Sequence, residues 1–536
     1  MCGSVGLLAE LRPNHVVANV AGARRRPRTT ARVVLRSLLV KKSISRRPSA
    51  AVFLALALAA CGGSSNNGAS PHPVIGGSGT DDSGVSSSGS SSPGSDAGAS
   101  GTVDAGPPAQ LAQADEARVA ASSISKDSLS AAVAANNAFA VDLYARLAAS
   151  SASSNLLTSP VSASLALTMT YAGAQGQTAT EMATALHLGA GAAATLFDGQ
   201  NALSQALASR GPDALAAAQQ NAREGNVAAP SASDYTLQIV NSVWGEKTYT
   251  WAPPFLSILA ESYGTGVYLQ DFVTAFDQAR QTINAWVSDQ TSDKINNLLP
   301  AGALDASTRM VLVNAIHLKF PWLNAFDASA TMPGAFSRAD GTTVMPSFMN
   351  QVTTLPFADD GQAQIVSLPL SNGQVSVLIA LPHQGVALAT YEAGLTTKSA
   401  ALSPPTSNAQ VTLSLPKATF TSPTFSLAKS LQAMGMVQAF DPTLANFKGM
   451  CPSTPDGLNL SVSDVLQKAM VAMQETGIEA AAATAVTVVG TAAELPPPTQ
   501  VSMTVNRPYL IAIVDVPTGA VLFLGHIEDP TAAGGP

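Results

Sequence analysis

The sequence predicts an α+β fold, on three observations. Apolar residues recur at helical spacing in the first part of the folded region. Runs rich in β-branched residues dominate from Leu237 onward. Helix and strand patterns do not alternate as in repeated βαβ units, and no internal repeat is present.

The helical signals come first. Phe139, Leu143 and Leu147 recur every four residues, with Val141 and Tyr144 beside them, which marks an amphipathic helix. Ser159-Pro160 predicts the start of a second helix, because serine caps free amides and proline fits the first turn. Thr178-Ala179-Thr180-Glu181 has the spacing of a capping box for a third helix, closed near Gly189. Residues 190–230 are rich in Ala, Gly and Gln and read as an insertion or a loose helical excursion. Strands follow at Leu237–Trp244, Met310–Lys319, Gln364–Leu370 and Gln374–Leu381. Val501, Met503 and Val505 alternate with polar neighbours, and Tyr509–Val516 and Ala520–Ile527 flank Pro517-Thr518-Gly519 as a hairpin.

Charge divides the chain. Residues 1–60 hold eleven Lys/Arg and one acidic residue, whereas the remainder holds 17 basic and 34 acidic residues, a net of −17. A body this acidic argues against nucleic acid or another polyanion as partner. The basic segment Lys41–Arg47 precedes an apolar run, Ala50–Ala60, too short to span a bilayer and suited to a signal-peptide core. It ends in Leu58-Ala59-Ala60-Cys61-Gly62, which resembles a bacterial lipobox. That resemblance implies cleavage before Cys61, acylation of Cys61 and an extracytoplasmic, envelope-anchored protein, with the cell surface or the medium as further destinations. The competing reading is an ordinary cleavable signal. The sixty residues before Cys61 exceed a normal signal, so translation is expected to begin near residue 33. Residues 62–128 hold few large apolar side chains and are expected to form a flexible tether. With Cys61 modified, Cys451 has no partner, and no disulfide framework is expected. The expected organisation is therefore 1–60 leader, 61–128 tether, 129–530 folded domain and 531–536 tail.

Catalytic signatures are missing. The chain has no G-x-S-x-G, H-E-x-x-H, C-x-x-C or P-loop. His187, His317, His383 and His526 are not at metal-ligand spacing and read as surface or packed histidines. The S-x-x-K matches Ser123–Lys126 and Ser426–Lys429 lack the S-D-N and K-T-G partners of penicillin-binding enzymes. No enzyme, cofactor or metal is expected.

A series of ordered segments carries a family resemblance. They are Asn155–Ser162, Tyr171–Thr178, Ile283–Val287 with Thr291, Lys294-Ile295 and Leu298–Pro300, then Leu312–Ile316 through Lys319 to Trp322 and Phe326. Leu415–Lys417, Leu431–Met436, Ser463–Val465 with Lys468-Ala469, Asn506–Pro508 and Phe523–Ile527 complete the series. In this order they resemble the serpins. The resemblance implies three β-sheets, eight or nine helices and an exposed reactive-site loop, with Met310–Lys319 as a central strand. It places Ser159, Ser162, Asn314, Trp322, Lys417 and Gln467 where the main sheet opens. The family usually has histidine at the position of Gln467; glutamine both donates and accepts, so it retains the capacity to bridge.

Glu475-Thr476-Gly477-Ile478-Glu479-Ala480-Ala481-Ala482-Ala483 resembles the hinge of inhibitory serpins. Alanine suits a segment that must enter a sheet without bulk, Gly477 gives turn freedom, and Ile478 supplies an apolar first inward-facing residue. An Ala-rich helix is the bland alternative. Glu475 and Lys417 match a pair expected to form a salt bridge. Family spacing puts the cleaved bond at Thr491–Ala492, with a register extending as far as Glu494–Leu495. No Lys or Arg lies between Lys468 and Arg507, so elastase-like proteases with shallow pockets fit better than trypsin-like ones. The implied activity is suicide inhibition of a serine protease through a covalent acyl complex, with a cysteine protease as second candidate and a monomeric inhibitor. The alternative is a non-inhibitory serpin, a binding or structural module with a cleavable loop.

Overall fold

The computed structural model describes residues 110–532, apart from 152, 190–192, 423 and 480–498. Eight α-helices form among these residues: α1 Lys126–Ser150, α2 Pro160–Tyr171, α3 Gly176–Ala185, α4 Ala193–Glu224, α5 Pro253–Tyr263, α6 Phe276–Gln290, α7 Leu388–Ala393 and α8 Ala428–Ala433. The helix ends follow the local chemistry. Ser125 caps α1 by accepting from Ser128 N–H, and Gly264, left-handed at φ 67°, ends α5.

Two expectations for the helical part change. The capping box at Thr178–Glu181 does not form. Glu181 instead accepts from the backbone of Val437 and Gln438, and Thr178 Oγ1 accepts from Asn446 N–H, so both side chains tie α3 to a later loop. The Ala-rich stretch is no loose excursion: α4 buries Phe197, Leu203, Leu207 and Ala214 along one side.

The strands form three sheets. The main sheet runs, by neighbour, Gln110–Ala112, Val267–Gln270, Thr236–Glu246, Met310–Pro321, Gly477–Ile478, Val465–Gln474 and Ala418–Thr421, with Phe425–Ser426 alongside Val465–Gln474. A nine-stranded sheet includes the antiparallel hairpin Tyr509–Asp515/Ala520–Ile527, and Phe336–Ser337 pairs with Thr343–Val344 as a two-stranded third.

Met310–Pro321 reads as an almost unbroken apolar run because both its faces are covered. Val311, Val313 and Ala315 pack with Ile283 and Val287 of α6. Ile316, Leu318 and Phe320 pack with Ile379, Ile511 and Phe523 of the second sheet. His317 shares the α6 side by the two-residue alternation.

The boundary between tether and domain also moves. Gln110–Ala112 pairs antiparallel with Val267–Gln270 and extends the main sheet by one edge strand. Arg118 then donates to Asn201 Oδ1 of α4 over 2.9 Å, and Val119 N–H donates to Glu261 O of α5 over 2.8 Å. Residues 110–125, expected within the tether, are therefore a docked arm. Three residues of strand with no apolar alternation give a sequence reader no signal; the pairing comes from a partner more than 150 residues away.

A forked sheet as the candidate functional site

The strands Met310–Pro321 and Val465–Gln474 pair in parallel only from Leu312/Val465 to His317/Met470. Beyond that point they fork. The chain leaves Val465–Gln474, turns at Glu475 and Thr476, and returns as Gly477–Ile478 between the two. Ile478 faces Phe320 on one side and Met473 on the other and is fully buried in the core between the sheets. Gly477 reaches φ 154°, an angle open to a residue without Cβ.

Trp322 fixes this return. Its indole Nε1–H donates to Gln474 O over 2.7 Å and its backbone N–H to Thr476 O over 3.0 Å. Phe326 N–H donates to Glu475 O over 2.8 Å, and the two rings meet edge to face. The Glu475 carboxylate lies 2.8 Å from Lys417 Nζ and accepts from Thr331 Oγ1 over 3.0 Å. Burial opposes its charge, but the bonds from Lys417 and Thr331 outweigh that and hold the carboxyl below the usual glutamate range.

Below the fork, a buried polar network closes the seam. Gln467 Nε2 donates to Asn314 Oδ1 over 2.7 Å and to Ser159 O over 2.9 Å. Its Oε1 accepts from Thr158 Oγ1 over 2.6 Å and Ser159 N–H over 3.0 Å. Asn314 Nδ2 donates to Ser162 Oγ over 2.6 Å and Asn241 Oδ1 over 2.8 Å. The structure thus brings Ser159, Ser162, Asn314 and Gln467 into one network, and Trp322, Lys417, Glu475, Gly477 and Ile478 into the fork above it.

Glu479 follows Ile478 and leaves the sheet in the left-handed region, φ 48°, which is uncommon for a residue with a side chain. Its N–H donates to Ala472 O over 2.7 Å. Its carboxylate turns into the fork, only 4 % exposed, where Oε2 lies 3.0 Å from Nε2 of the equally buried His317 and 3.4 Å from Lys294 Nζ. Burial works against this charge too; the His317 bond and the charges of His317 and Lys294 prevail and keep the carboxyl below its ordinary value.

Ala480, Ala481, Ala482, Ala483, Thr491, Ala492 and Cys61 lie outside the described residues. The sequence reading missed Thr158, Asn241, Thr331 and the role of His317. Asn241 follows Ile239-Val240 and His317 stands between Ile316 and Leu318, and a polar residue beside such apolar neighbours is the available signal for a buried polar contact. Among the described residues no cluster of His, Cys, Asp and Glu has the makings of a metal site, and no helix is long and apolar enough to cross a membrane.

The whole arrangement is a main sheet forked to admit a returning strand and backed by a second sheet. The family model described as Serpin (serine protease inhibitor) matches residues 134–530. The chain belongs to the serpin family. It is 33 % identical over 411 residues to human Serpin B4, covering 74 % of this chain and 98 % of that protein. It is likewise 33 % identical over 406 residues to the leukocyte elastase inhibitor of Bos taurus, covering 74 % and 99 %. The solved structure of maspin superposes with a TM-score of 0.63 at 23 % identity, covering 76 % of this chain and all of that one, a likeness of fold. This is a family of inhibitors, not of enzymes.

Proposed function

We propose that the chain traps serine proteases of elastase-like specificity by loop cleavage and strand insertion. The protease's serine attacks the Thr491 carbonyl, the peptide bond breaks, and the new amine of Ala492 departs, leaving Thr491 esterified to the protease. The segment from Gly477 onward then zips between Met310–Pro321 and Val465–Gln474 and carries the bound protease with it. The observation that supports this reading is the fork itself. Gly477–Ile478 already hydrogen-bonds to both flanking strands, so insertion continues a pairing that exists. Extending its register sets Ala480 against Leu318, Ala482 against Ile316 and Thr484 against Asn314, small side chains entering a packed interior.

Relatives described as elastase inhibitors and the small apolar residues Val488–Ala493 favour an elastase-like target, with a cysteine protease as second candidate. The inhibitor is a monomer in this proposal, held at a bacterial envelope by acylated Cys61 on a tether that ends at residue 109. The competing reading, a non-inhibitory serpin with a cleavable loop, draws on the fully satisfied Gln467 network, which favours a closed seam.

One experiment separates them. Purified protein is mixed with elastase-like and subtilisin-like proteases and run on denaturing gels. An SDS-stable complex, with mass spectrometry locating its bond at Thr491–Ala492, carries the inhibitory reading. Clean cleavage without a complex, and no rise in melting temperature of the cut protein, sinks it.

A further inference from the structure

The fork holds a buried hydrogen-bonded pair, Glu479 and His317, that the insertion mechanism does not require. His317 is the last residue of its strand to face Val465–Gln474 directly, opposite Met470, so separation of the strands begins at His317. Glu479 reaches into this point and binds His317 Nε2. Glu479 Oε1 and His317 Nδ1 are both buried without a hydrogen-bond partner among the described residues. The pair is thus buried with one polar atom of each member unpartnered, and Lys294 alone reaches it from the rim.

Continuing the register from Ile478/Phe320 puts Glu479 opposite Lys319 and Ala481 opposite His317. To reach that place Glu479 must swing from φ 48° into the extended region, which breaks the present geometry of its bond to His317. Lys319, the residue it would then face, is already engaged with Asp234 over 2.8 Å. Lys294, from the segment after α6, bonds the same carboxylate from the rim, and Lys468 Nζ donates to Asn296 O of that segment over 2.8 Å. The covering segment and the returning strand therefore meet in one charged cluster. Breaking a buried pair leaves an uncompensated charge, which makes the next step of insertion slow.

We infer that Glu479 and His317 form a catch that arrests strand entry after Ile478 and sets the rate at which the sheet opens. The inference rests on the insertion reading above. Each member is a positioning residue: it touches no protease and acts through the strand it holds.

The test is a double-mutant cycle on the full chain with Glu479→Gln, His317→Gln and both together. The readout is the rate at which intact protein takes up a synthetic peptide of residues 480–491 as an extra strand, followed by native gel and by the rise in melting temperature. Each single variant is expected to speed uptake about tenfold, within the range for coupled neighbours, and the double variant to be no faster than the faster single. Asp142→Asn, which breaks the exposed pair between Asp142 of α1 and His187 outside the fork, leaves the rate unchanged. Should His317→Gln fail to fold, Lys294→Met with Glu479→Gln forms the cycle. Equal uptake by all variants, or a double effect equal to the product of the singles, overturns the catch and leaves the inhibitory reading standing. Uptake by none overturns both. Faster uptake in the variants without a trapped complex with any protease sinks the inhibitory reading alone.

Discussion

Gln467 and Asn314 join across the seam of the main sheet through a 2.7 Å hydrogen bond at a depth where neither side chain meets solvent. Gln467 also satisfies Thr158 and Ser159, so four protein groups depend on it. Gln467→Leu keeps the volume and removes both polar ends. It is expected to destabilise the native form by about 1–3 kcal/mol, the cost of orphaned buried groups. Gln467→His, which still bridges, is expected to retain more of the stability. Urea titration of the three proteins checks the order; a leucine variant as stable as the parent would deny the network its role.

The groups around Glu475 divide by burial. Lys417 is 36 % exposed, so Lys417→Ala should cost about 0–1 kcal/mol, since water and salt screen the pair. Trp322 is buried against Phe326 and holds Gln474 and Thr476 by hydrogen bonds. Trp322→Ala should cost about 3–5 kcal/mol. It should also free Gly477–Ile478, exposing that segment to a broad-specificity protease. Melting curves with limited proteolysis distinguish the two substitutions, and comparable losses for both would contradict the assignment.

The legible parts of this fold are those whose signal is local. The four-residue spacing of Phe139, Leu143 and Leu147 yields α1, and the two-sided apolar run of Met310–Pro321 yields a central strand. Ordered family segments locate Gln467 and Asn314 on the seam. The parts that escaped depend on tertiary partners. Glu181 has capping-box spacing, but loop amides at Val437 and Gln438 outbid its own helix. Gln110–Ala112 becomes a strand only because Val267–Gln270 offers a free edge. Glu479 reads as one charge in an alanine run, and its burial follows from His317, 162 residues earlier.

His526 predicts a pH dependence. It is buried, which disfavours its charge, yet Glu392 at 2.7 Å and Ser154 O at 3.0 Å raise its pKa above the usual value. Tyr144 Oη closes the group, 2.9 Å from His526 Nδ1. A raised folded pKa means this stabilisation is complete below the unfolded value of about 6.5 and is lost as pH rises through the folded pKa. Melting temperature is therefore expected to fall as pH is taken from about 6 to about 9, and His526→Gln to flatten that fall. An unchanged slope in the variant would assign the effect elsewhere.

The docked arm is built into the sheet edge by a missing side chain. A Cβ at Gly266 would stand 2.1 Å from Ala112 O, a distance no real Cβ holds, so Gly266→Ala forces the strand Gln110–Ala112 off Val267–Gln270. The arm's other attachments, among them Arg118 to Asn201 and Ser204, Val119 to Glu261, Asn201 and Gln205, and Glu116 to Ser257, are polar and partly exposed, and losing the edge pairing leaves the arm to them alone. Arg118 then becomes a free cleavage site, because a protease binds extended, undocked chain. The expected outcome is trypsin cleavage after Arg118 at least about tenfold faster in Gly266→Ala than in the parent, in the regime where cutting tracks the open population. The helical core from Lys126 onward should keep its circular dichroism, since α1 is packed by Phe139, Leu143 and Leu147 independently of the arm. Cleavage at an unchanged rate would mean that the arm is held by its polar contacts and that the edge pairing contributes nothing.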